Sequence, residues 1–159
     1  MADETSAVLV LCHDGIWEAS VLPDRLADDL DSVVGELRRQ AAEDGAIAFL
    51  SVEDEFFVAA RMVRGEPQLL LSDRTTVDEF DIARQALRLR GEDLPDDDDL
   101  DDVWPAGDLA MFTDFGLDER ELGTILDDLD LYADEMILAI GRRVGFADAY
   151  AEAADLPPQ

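Results

Sequence analysis

The fold is decided by the stretch Ala7–Val21, AVLVLCHDGIWEASV, because it reads as a strand, a turn and a second strand. Its first five residues are uniformly apolar, which is typical of a strand covered on both faces of a sheet. Asp14-Gly15 is the strongest short hairpin signal, and Ile16–Val21 has the composition of the returning strand. The sequence therefore predicts a β-hairpin whose first strand lies centrally in a sheet.

Two helices and three further strands are predicted after the hairpin. Pro23 and Asp24 open a helix whose apolar residues fall at helical spacing and whose last turn is basic. A capping-box pattern at Thr76 and Glu79 predicts a second helix, which ends at Gly91. Between the helices, turn residues separate three apolar stretches that are predicted to be strands: Gly45–Val52, 55–63 and 68–71.

The order of these elements, ββαβββα, predicts an α+β fold with a five-stranded antiparallel sheet. The same order occurs in the longin, roadblock and profilin-like architectures, whose members mostly serve as platforms for protein interaction. An acidic segment over 92–107 is predicted to be a loop or linker. A small helical part over 108–156 follows, so the predicted organisation is a sheet domain over 1–91, this linker and a C-terminal helical segment.

Charge is the dominant feature of the composition. Forty acidic residues oppose twelve basic ones, all of them arginine, and the formal net charge is -28. Such a surface repels phosphate backbones and anionic lipid, so we predict no direct binding of nucleic acid and no membrane association. The 48% hydrophobic content is ordinary for a folded chain. The polar start of the chain lacks the pattern of a signal peptide, which predicts a cytoplasmic protein.

No reaction is indicated by the residues that usually carry chemistry. His13 is the one histidine and Cys12 the one cysteine, and neighbouring strand residues point to opposite faces. Cys12 is therefore predicted to pack in the core and His13 to lie in the hairpin. Carboxylates are so numerous that a close pair carries no weight for acid–base catalysis. Two runs of acidic residues, 96–102 and 127–135, lack the glycine and glutamate positions of a calcium loop. We predict no catalytic residue, no metal site and no cofactor.

The acidic segment holds the predicted partner-binding site, in which six aspartates stand next to an aromatic side chain. The site consists of Asp96, Asp97, Asp98, Asp99, Asp101, Asp102 and Trp104. Acidic groups beside an apolar anchor suit docking on a surface rich in arginine or lysine. Two other interpretations stay open. In the first, the segment is a solvated loop whose tryptophan packs on its own domain. In the second, the charge of the segment is neutralised by Arg84, Arg88 and Arg90.

Four short stretches resemble a known family. They are LPDRLADDLD (22–31), LLLSD (69–73), PAGDL (105–109) and LGTILDDLDLYADEM (122–136). Together they are similar to the actinobacterial family of tRNA adenosine deaminase-associated proteins, over nearly the whole chain and least in the acidic middle. The resemblance implies association with the deaminase and assigns no catalytic residue.

The sequence also shows that this chain is not itself a deaminase of that class. A zinc deaminase needs a His or Cys ligand near a catalytic Glu, and a PCxxC pair that supplies two more ligands. Here His13 is followed by Asp14-Gly15, and Cys12 has no companion. The zinc-binding motif is therefore missing.

Three hypotheses for the function remain at this point. The first is a non-catalytic acidic accessory protein that contacts a tRNA adenosine deaminase, or another basic protein, through the acidic segment. The second is an acidic immunity protein or nucleic-acid mimic that inhibits a basic enzyme. The third is a carboxylate-based enzyme, which predicts a deep pocket lined by acids of perturbed pKa. The oligomeric state stays open, because an edge strand favours self-pairing while the charge opposes it.

Overall fold

A computed structural model traces the fold through most of the chain. The described residues are 5–23, 26, 29–40, 45–52, 55–63, 66–73, 80–90, 106–107, 110–128 and 130–154. The strands are β1 (Thr5–His13), β2 (Ile16–Val21), β3 (Gly45–Val52), β4 (Phe56–Val63), β5 (Glu66–Leu71) and β6 (Ala106–Gly107). The helices are α1 (Leu30–Gln40), α2 (Asp81–Arg90), α3 (Glu119–Asp127), α4 (Ala133–Val144) and α5 (Ala147–Ala153), with a 3-10 turn at Thr113–Phe115.

The predicted α+β fold and its element order are confirmed. The strands form one antiparallel sheet in the order β2-β1-β3-β4-β5-β6, so the apolar β1 lies inside the sheet as predicted. The sixth strand was not predicted. Its two residues pair with Leu70 and Leu71 of β5, and they fall within the predicted acidic linker. Two residues are too few to show the alternation by which a strand is recognised.

The hairpin at Asp14-Gly15 has the geometry that its sequence predicts. Asp14 has φ 53° and Gly15 has φ 78°, and two positive φ values in a two-residue loop define the turn that matches strand twist. The β1–β2 register then runs without a slip from His13–Ile16 to Val8–Val21. Cys12 is buried and His13 is exposed, as predicted for neighbours on a strand. The two side chains therefore do not form a reactive pair.

Local hydrogen bonds fix the helix starts in the described part of the chain. α1 begins at Leu30, where Asp29 accepts from the Asp31 backbone N at 3.1 Å and from Ser32 Oγ at 3.0 Å. α3 begins after Asp118, whose side chain accepts from the Glu121 backbone N at 2.8 Å. Both are N-cap arrangements that satisfy the unpaired first turn. The predicted capping residues Asp24, Thr76 and Glu79 lie outside the described residues.

Each face of the sheet carries its own helical layer and its own core. α1 and α2 cover one face, and α3, α4 and α5 cover the other. The second core is centred on Phe49 of β3. Its ring centroid lies 5.1 Å from Phe146, 6.1 Å from Phe112, and 6.2 Å from both Phe57 and Tyr150. The C-terminal helices thus pack on the sheet.

The predicted domain boundaries stay a prediction, since residues 91–105 lie outside the described part of the chain. The packing nevertheless joins the predicted sheet domain to the predicted helical part through one shared core. No helix within the described ranges combines the length and the apolar character that a membrane span requires.

Gly141 of α4 lies so close to the start of α5 that it leaves no room for a side chain. A Cβ atom there would stand 2.8 Å from Phe146 Cε1 and 2.9 Å from both Cα and N of Ala147. Because two of these are backbone atoms, α5 would have to shift. We expect Gly141→Ala to lower the free energy of unfolding by about 1.5 kcal/mol. The cost of overpacking exceeds the gain in helix propensity by this amount. Urea denaturation measures this change.

A matched control lies on the neighbouring helix. A Cβ atom on Gly123 of α3 would meet no side chain and no other element within 4 Å. Gly123→Ala is therefore expected to raise stability by about 0.5 to 1 kcal/mol through helix propensity alone. Equal effects of the two substitutions would contradict the close approach of α4 and α5.

Candidate partner-binding surfaces

The predicted acidic site itself lies outside the described residues, but its two flanks are placed. α2 ends at Arg90 before the segment, and β6 pairs with β5 after it, through Leu71–Ala106 and Leu70–Gly107. β5 and β6 form one edge of the sheet. The predicted contact residues Asp96, Asp97, Asp98, Asp99, Asp101, Asp102 and Trp104 therefore lie between α2 and β6 in the sequence.

The arginines considered as neutralising partners lie on α2, before the segment. Arg84 Nε stands 3.6 Å from Asp81 Oδ1 within the same helix, and Arg88 is exposed. The pKa of Asp81 is lowered, first by the hydrogen bond from Gln85 and then by the charges of Arg84 and Arg88. These contacts do not decide whether the acidic segment is a solvated loop or is neutralised by the arginines of α2.

One charged side chain is buried in the described part of the protein, and it joins the sheet to the C-terminal layer. Arg61 of β4 donates from Nη1 to the Met111 carbonyl at 2.5 Å and to Asp114 Oδ1 at 2.7 Å. Its Nη2 donates to Asp114 Oδ2 at 2.7 Å, which makes the pair bidentate. The guanidinium carbon lies 4.4 Å from the ring centroid of Phe115. These four residues form the Arg61 clamp.

The Arg61 clamp also sets the titration of its carboxylate. The hydrogen bonds from Arg61 hold the pKa of Asp114 below its usual range, against a smaller opposing effect of burial. This site was not predicted from the sequence, although a signal was present. Phe57 and Ala59 lie on the face of β4 that packs against the C-terminal helices, and Arg61 is the next residue on that face by strand alternation. A charged residue at a core-facing position needs a partner, but no local pattern identifies Asp114, which lies 53 residues later in the sequence.

The opposite edge of the sheet, β2, carries exposed apolar side chains and a groove. Ile16 is 66% exposed and Val21 is 55% exposed. Trp17 is half-buried, and its ring meets those of Phe115 at 5.4 Å and Phe146 at 5.7 Å, both edge-on. The groove lies between β2 and α5 and has a volume of about 520 Å³. It is lined by Trp17, Glu18, Ala19, Ala149, Glu152 and Ala153.

A glycine allows Trp17 to form one wall of this groove. Gly145 has φ +123°, and a Cβ atom there would stand 3.0 Å from Trp17 Nε1. Only glycine adopts this backbone conformation readily and also leaves the indole in place. The ring of Trp17 is thus held between Phe115, Phe146 and the Gly145 backbone, and the groove wall is fixed by the second core.

The acidic turn between α3 and α4 mostly stabilises its own backbone. Asp128 Oδ1 accepts from the Asp130 backbone N at 3.1 Å, and Glu135 Oε1 accepts from the Tyr132 backbone N at 3.0 Å. Asp134 Oδ1 accepts from Tyr150 Oη at 2.9 Å. Of these bonds, the one between Tyr132 and Glu135 caps the start of α4. No group of three or more His, Cys, Asp or Glu side chains in the described ranges is placed to hold a metal ion.

Similarity to known proteins extends over almost the whole chain. The model of the Rv3753c-like tRNA adenosine deaminase-associated proteins matches residues 5–147. The chain belongs to this family. It is also 38% identical to Protein Rv3753c of Mycobacterium tuberculosis over 149 residues, which are 93% of this chain and 86% of that protein. No solved structure gives a significant match. The resemblance seen in the sequence is therefore confirmed.

The extent of the family match coincides with the architecture. It begins at the first residue of β1 and ends at the first residue of α5. The Rv3753c-like family model thus spans the whole sheet, the acidic segment and the helices α1 to α4. The Arg61 clamp and the β2 side of the groove lie inside the matched range, whereas most of α5 lies beyond it.

Proposed function

We propose that this protein is a non-catalytic, cytoplasmic accessory protein that binds a tRNA adenosine deaminase, or another basic protein, by direct contact. The observation that carries the proposal is the distribution of charge. Among the described residues, the buried polar and charged side chains are Ser51, Arg61 and Ser72, so every described carboxylate lies at or near the surface. An acidic surface over an apolar interior suits a binding protein better than a carboxylate-based enzyme.

The titration of the carboxylates supports the same choice. Where a pKa shift is resolved, at Glu36, Asp81 and Asp114, it is downward and is caused first by a hydrogen bond from Arg39, Gln85 or Arg61 respectively. An acid–base enzyme working near neutral pH needs a carboxyl of raised pKa in an apolar pocket. In Glu36, Asp81 and Asp114 the lowered pKa instead favours the charged form, which suits contact with a cationic partner.

The family name supports a tRNA adenosine deaminase as the proposed partner. Its members are described as tRNA adenosine deaminase-associated proteins. An enzyme that binds tRNA needs a positive surface for the phosphates, and a protein with a net charge of -28 complements such a surface. We place the contact at Asp96, Asp97, Asp98, Asp99, Asp101, Asp102 and Trp104, which lie between α2 and β6 in the sequence.

Titration calorimetry against the tRNA adenosine deaminase of the same organism tests this proposal. We expect saturable binding that persists at about 150 mM salt, where exposed charge pairs are largely screened. Changing the six aspartates to asparagine and Trp104 to alanine is expected to weaken binding at least about tenfold, because both the charge and the anchor are lost.

The control is a variant with the same change of charge elsewhere. It neutralises six exposed carboxylates, namely Asp31, Glu55, Glu119, Asp127, Asp130 and Asp148, and is expected to bind within about threefold of the unmodified protein. Equal weakening by both variants would exclude the acidic segment as the contact. No binding at the higher salt would exclude the physical association. A tRNA deamination assay that shows complete inhibition would instead identify an inhibitor of the deaminase.

A further inference from the structure

The outer edge of β2 directs the backbone N–H and C=O groups of three residues away from the sheet. Leu22 N donates to the Ala7 carbonyl at 2.8 Å, which makes Ala7–Leu22 a hydrogen-bonded pair. Hydrogen-bonded and non-bonded pairs alternate along an antiparallel ladder. By this alternation Ile16, Glu18 and Ser20 bond to β1, so the N–H and C=O groups of the intervening residues point away from the sheet. These residues are Trp17, Ala19 and Val21.

In the described part of the chain, this edge has few of the features by which proteins usually prevent strand pairing. Such features are prolines, bulges, charged side chains, very short strands and cover by a helix or loop. β2 is six residues long, its sequence is IWEASV, and its register with β1 is unbroken. Within the described part of the chain it pairs with β1 alone. Its one charged residue is Glu18, and two of its apolar side chains, Ile16 and Val21, are exposed. Among the residues that the structure describes, no second strand pairs with this edge, so it is available to a further strand.

The two faces of this edge differ in what they would offer to an added strand. Trp17 and Ala19 face the helical layer and line the groove against α5. By strand alternation the Glu18 side chain points to the opposite face, so Glu18 borders the groove at the strand edge and is exposed. Residues directly opposite each other in neighbouring strands interact through their side chains. An added strand would thus place apolar side chains towards the groove and a cationic one beside Glu18.

The rim of the groove carries a second carboxylate on the helical side. Glu152 of α5 is exposed and lines the groove together with Ala149 and Ala153. The alanines leave space for apolar side chains, while the glutamate favours a cation at the mouth. The lining of the groove therefore combines apolar residues with two glutamates, Glu18 and Glu152.

We infer that the β2 edge and the groove between β2 and α5 bind an extended, basic segment of a partner protein, which adds to the sheet as an antiparallel strand with alternating cationic and apolar residues. Main-chain hydrogen bonds to β2 supply the pairing, and the groove and Glu18 supply the side-chain selectivity. This site lies at the sheet edge opposite β6, so it goes beyond the contact proposed above and does not depend on the identity of the partner.

Charge decides between a basic segment and a second copy of this chain. A second copy would bring its own net charge of -28 to an edge whose charged group is a glutamate. That repulsion opposes association of identical chains, whereas a cationic segment gains from the same field. The occupant is therefore a basic strand.

The probe for the test is the capped octapeptide Arg-Val-Arg-Val-Arg-Val-Arg-Val, added to the full-length protein. Its valines suit the groove face and its arginines suit Glu18. We expect saturable binding at about 150 mM salt, measured by fluorescence anisotropy of labelled peptide. Amide hydrogen exchange, read by NMR, should slow at Trp17, Ala19 and Val21, because these N–H groups become bonded.

Two peptide controls separate strand pairing from charge attraction without altering the protein. Methylating the valine backbone nitrogens removes the donors that face β2 and should weaken binding at least about tenfold. An octapeptide of arginine and glycine keeps the charge but loses the apolar side chains and should weaken it comparably. Equal affinity for all three peptides would overturn the proposal in favour of unspecific charge attraction.

Three protein variants complete the test. Glu18→Arg combined with Glu152→Arg should weaken peptide binding about tenfold, while the matched reversal Glu55→Arg with Asp127→Arg should change it less than about threefold. Ala19→Pro removes one outward N–H and leaves the β1 bonds in place, so it should also weaken binding. Protection confined to amides away from β2 would overturn the site. A dimer without peptide that Ala19→Pro dissociates would show that a second copy is the occupant.

Discussion

Replacing Phe49 by alanine is expected to lower the free energy of unfolding by about 4 kcal/mol. Phe49 is fully buried in the central strand β3 and meets four aromatic rings, two of which come from the sequence after residue 140. Removing its ring leaves a cavity between the sheet and the C-terminal helices, where neither side can relax fully. Urea denaturation followed by far-UV circular dichroism measures the change, and Phe49→Leu should cost about 1.5 kcal/mol or less.

This substitution also tests whether the sheet and the C-terminal helices unfold as one unit. A shared core predicts a single transition, in which amides of α1 and of α4 lose protection together. Two transitions in Phe49→Ala, with α4 losing protection first, would instead favour the separate helical part that the domain organisation predicts.

Replacing Asp114 by alanine is expected to cost about 3 kcal/mol, because it leaves the guanidinium of Arg61 buried without its carboxylate. This value stands at the low end for a broken buried pair, since the Asp114 side chain is itself 61% exposed and partly screened by solvent. The double variant Arg61→Met with Asp114→Ala should be more stable than Asp114→Ala alone, because it removes the stranded charge. The two variants and Arg61→Met form a double-mutant cycle in urea.

The Arg61 clamp also predicts how the stability depends on pH. The pKa of Asp114 is lowered in the folded protein, so its contribution is fully present above its unfolded pKa of about 3.9. The contribution is lost as the pH falls through the folded pKa. The stability difference between the unmodified protein and Asp114→Ala should therefore be constant near neutral pH and shrink below about pH 4. A difference that stays constant down to about pH 2.5 would exclude the ion pair as its cause.

Local sequence signals were enough to predict the sheet, and the structure explains why. Asp14-Gly15 specifies its turn through two positive φ values, and that turn fixes the register of the hairpin without help from the rest of the chain. The uniformly apolar β1 requires cover on both faces, which places it inside the sheet. In each case the deciding interaction lies within a few residues.

The packing of the C-terminal helices, the Arg61 clamp and the groove depend instead on contacts between residues far apart in sequence. The apolar stripes of α4 and α5 show that these helices bury one face, but not that the buried surface is the sheet around Phe49. The partner of Arg61 lies 53 residues away. The groove joins Trp17 to three small or acidic residues of α5 more than a hundred positions later, and no local pattern connects them. The predicted site at Asp96–Asp102 and Trp104 stays a prediction.

The covering of the sheet by the C-terminal helices has a consequence for biosynthesis. The apolar face made by β1, β3, β4 and β5 is complete once residue 71 has left the ribosome, but its cover begins at Met111 and ends at Ala151. At translation rates of about 5 to 20 residues per second, this face waits roughly 4 to 16 seconds for its cover. The most acidic run of the chain is synthesised within that interval. Its charge would repel other nascent chains while the uncovered face is most prone to aggregate.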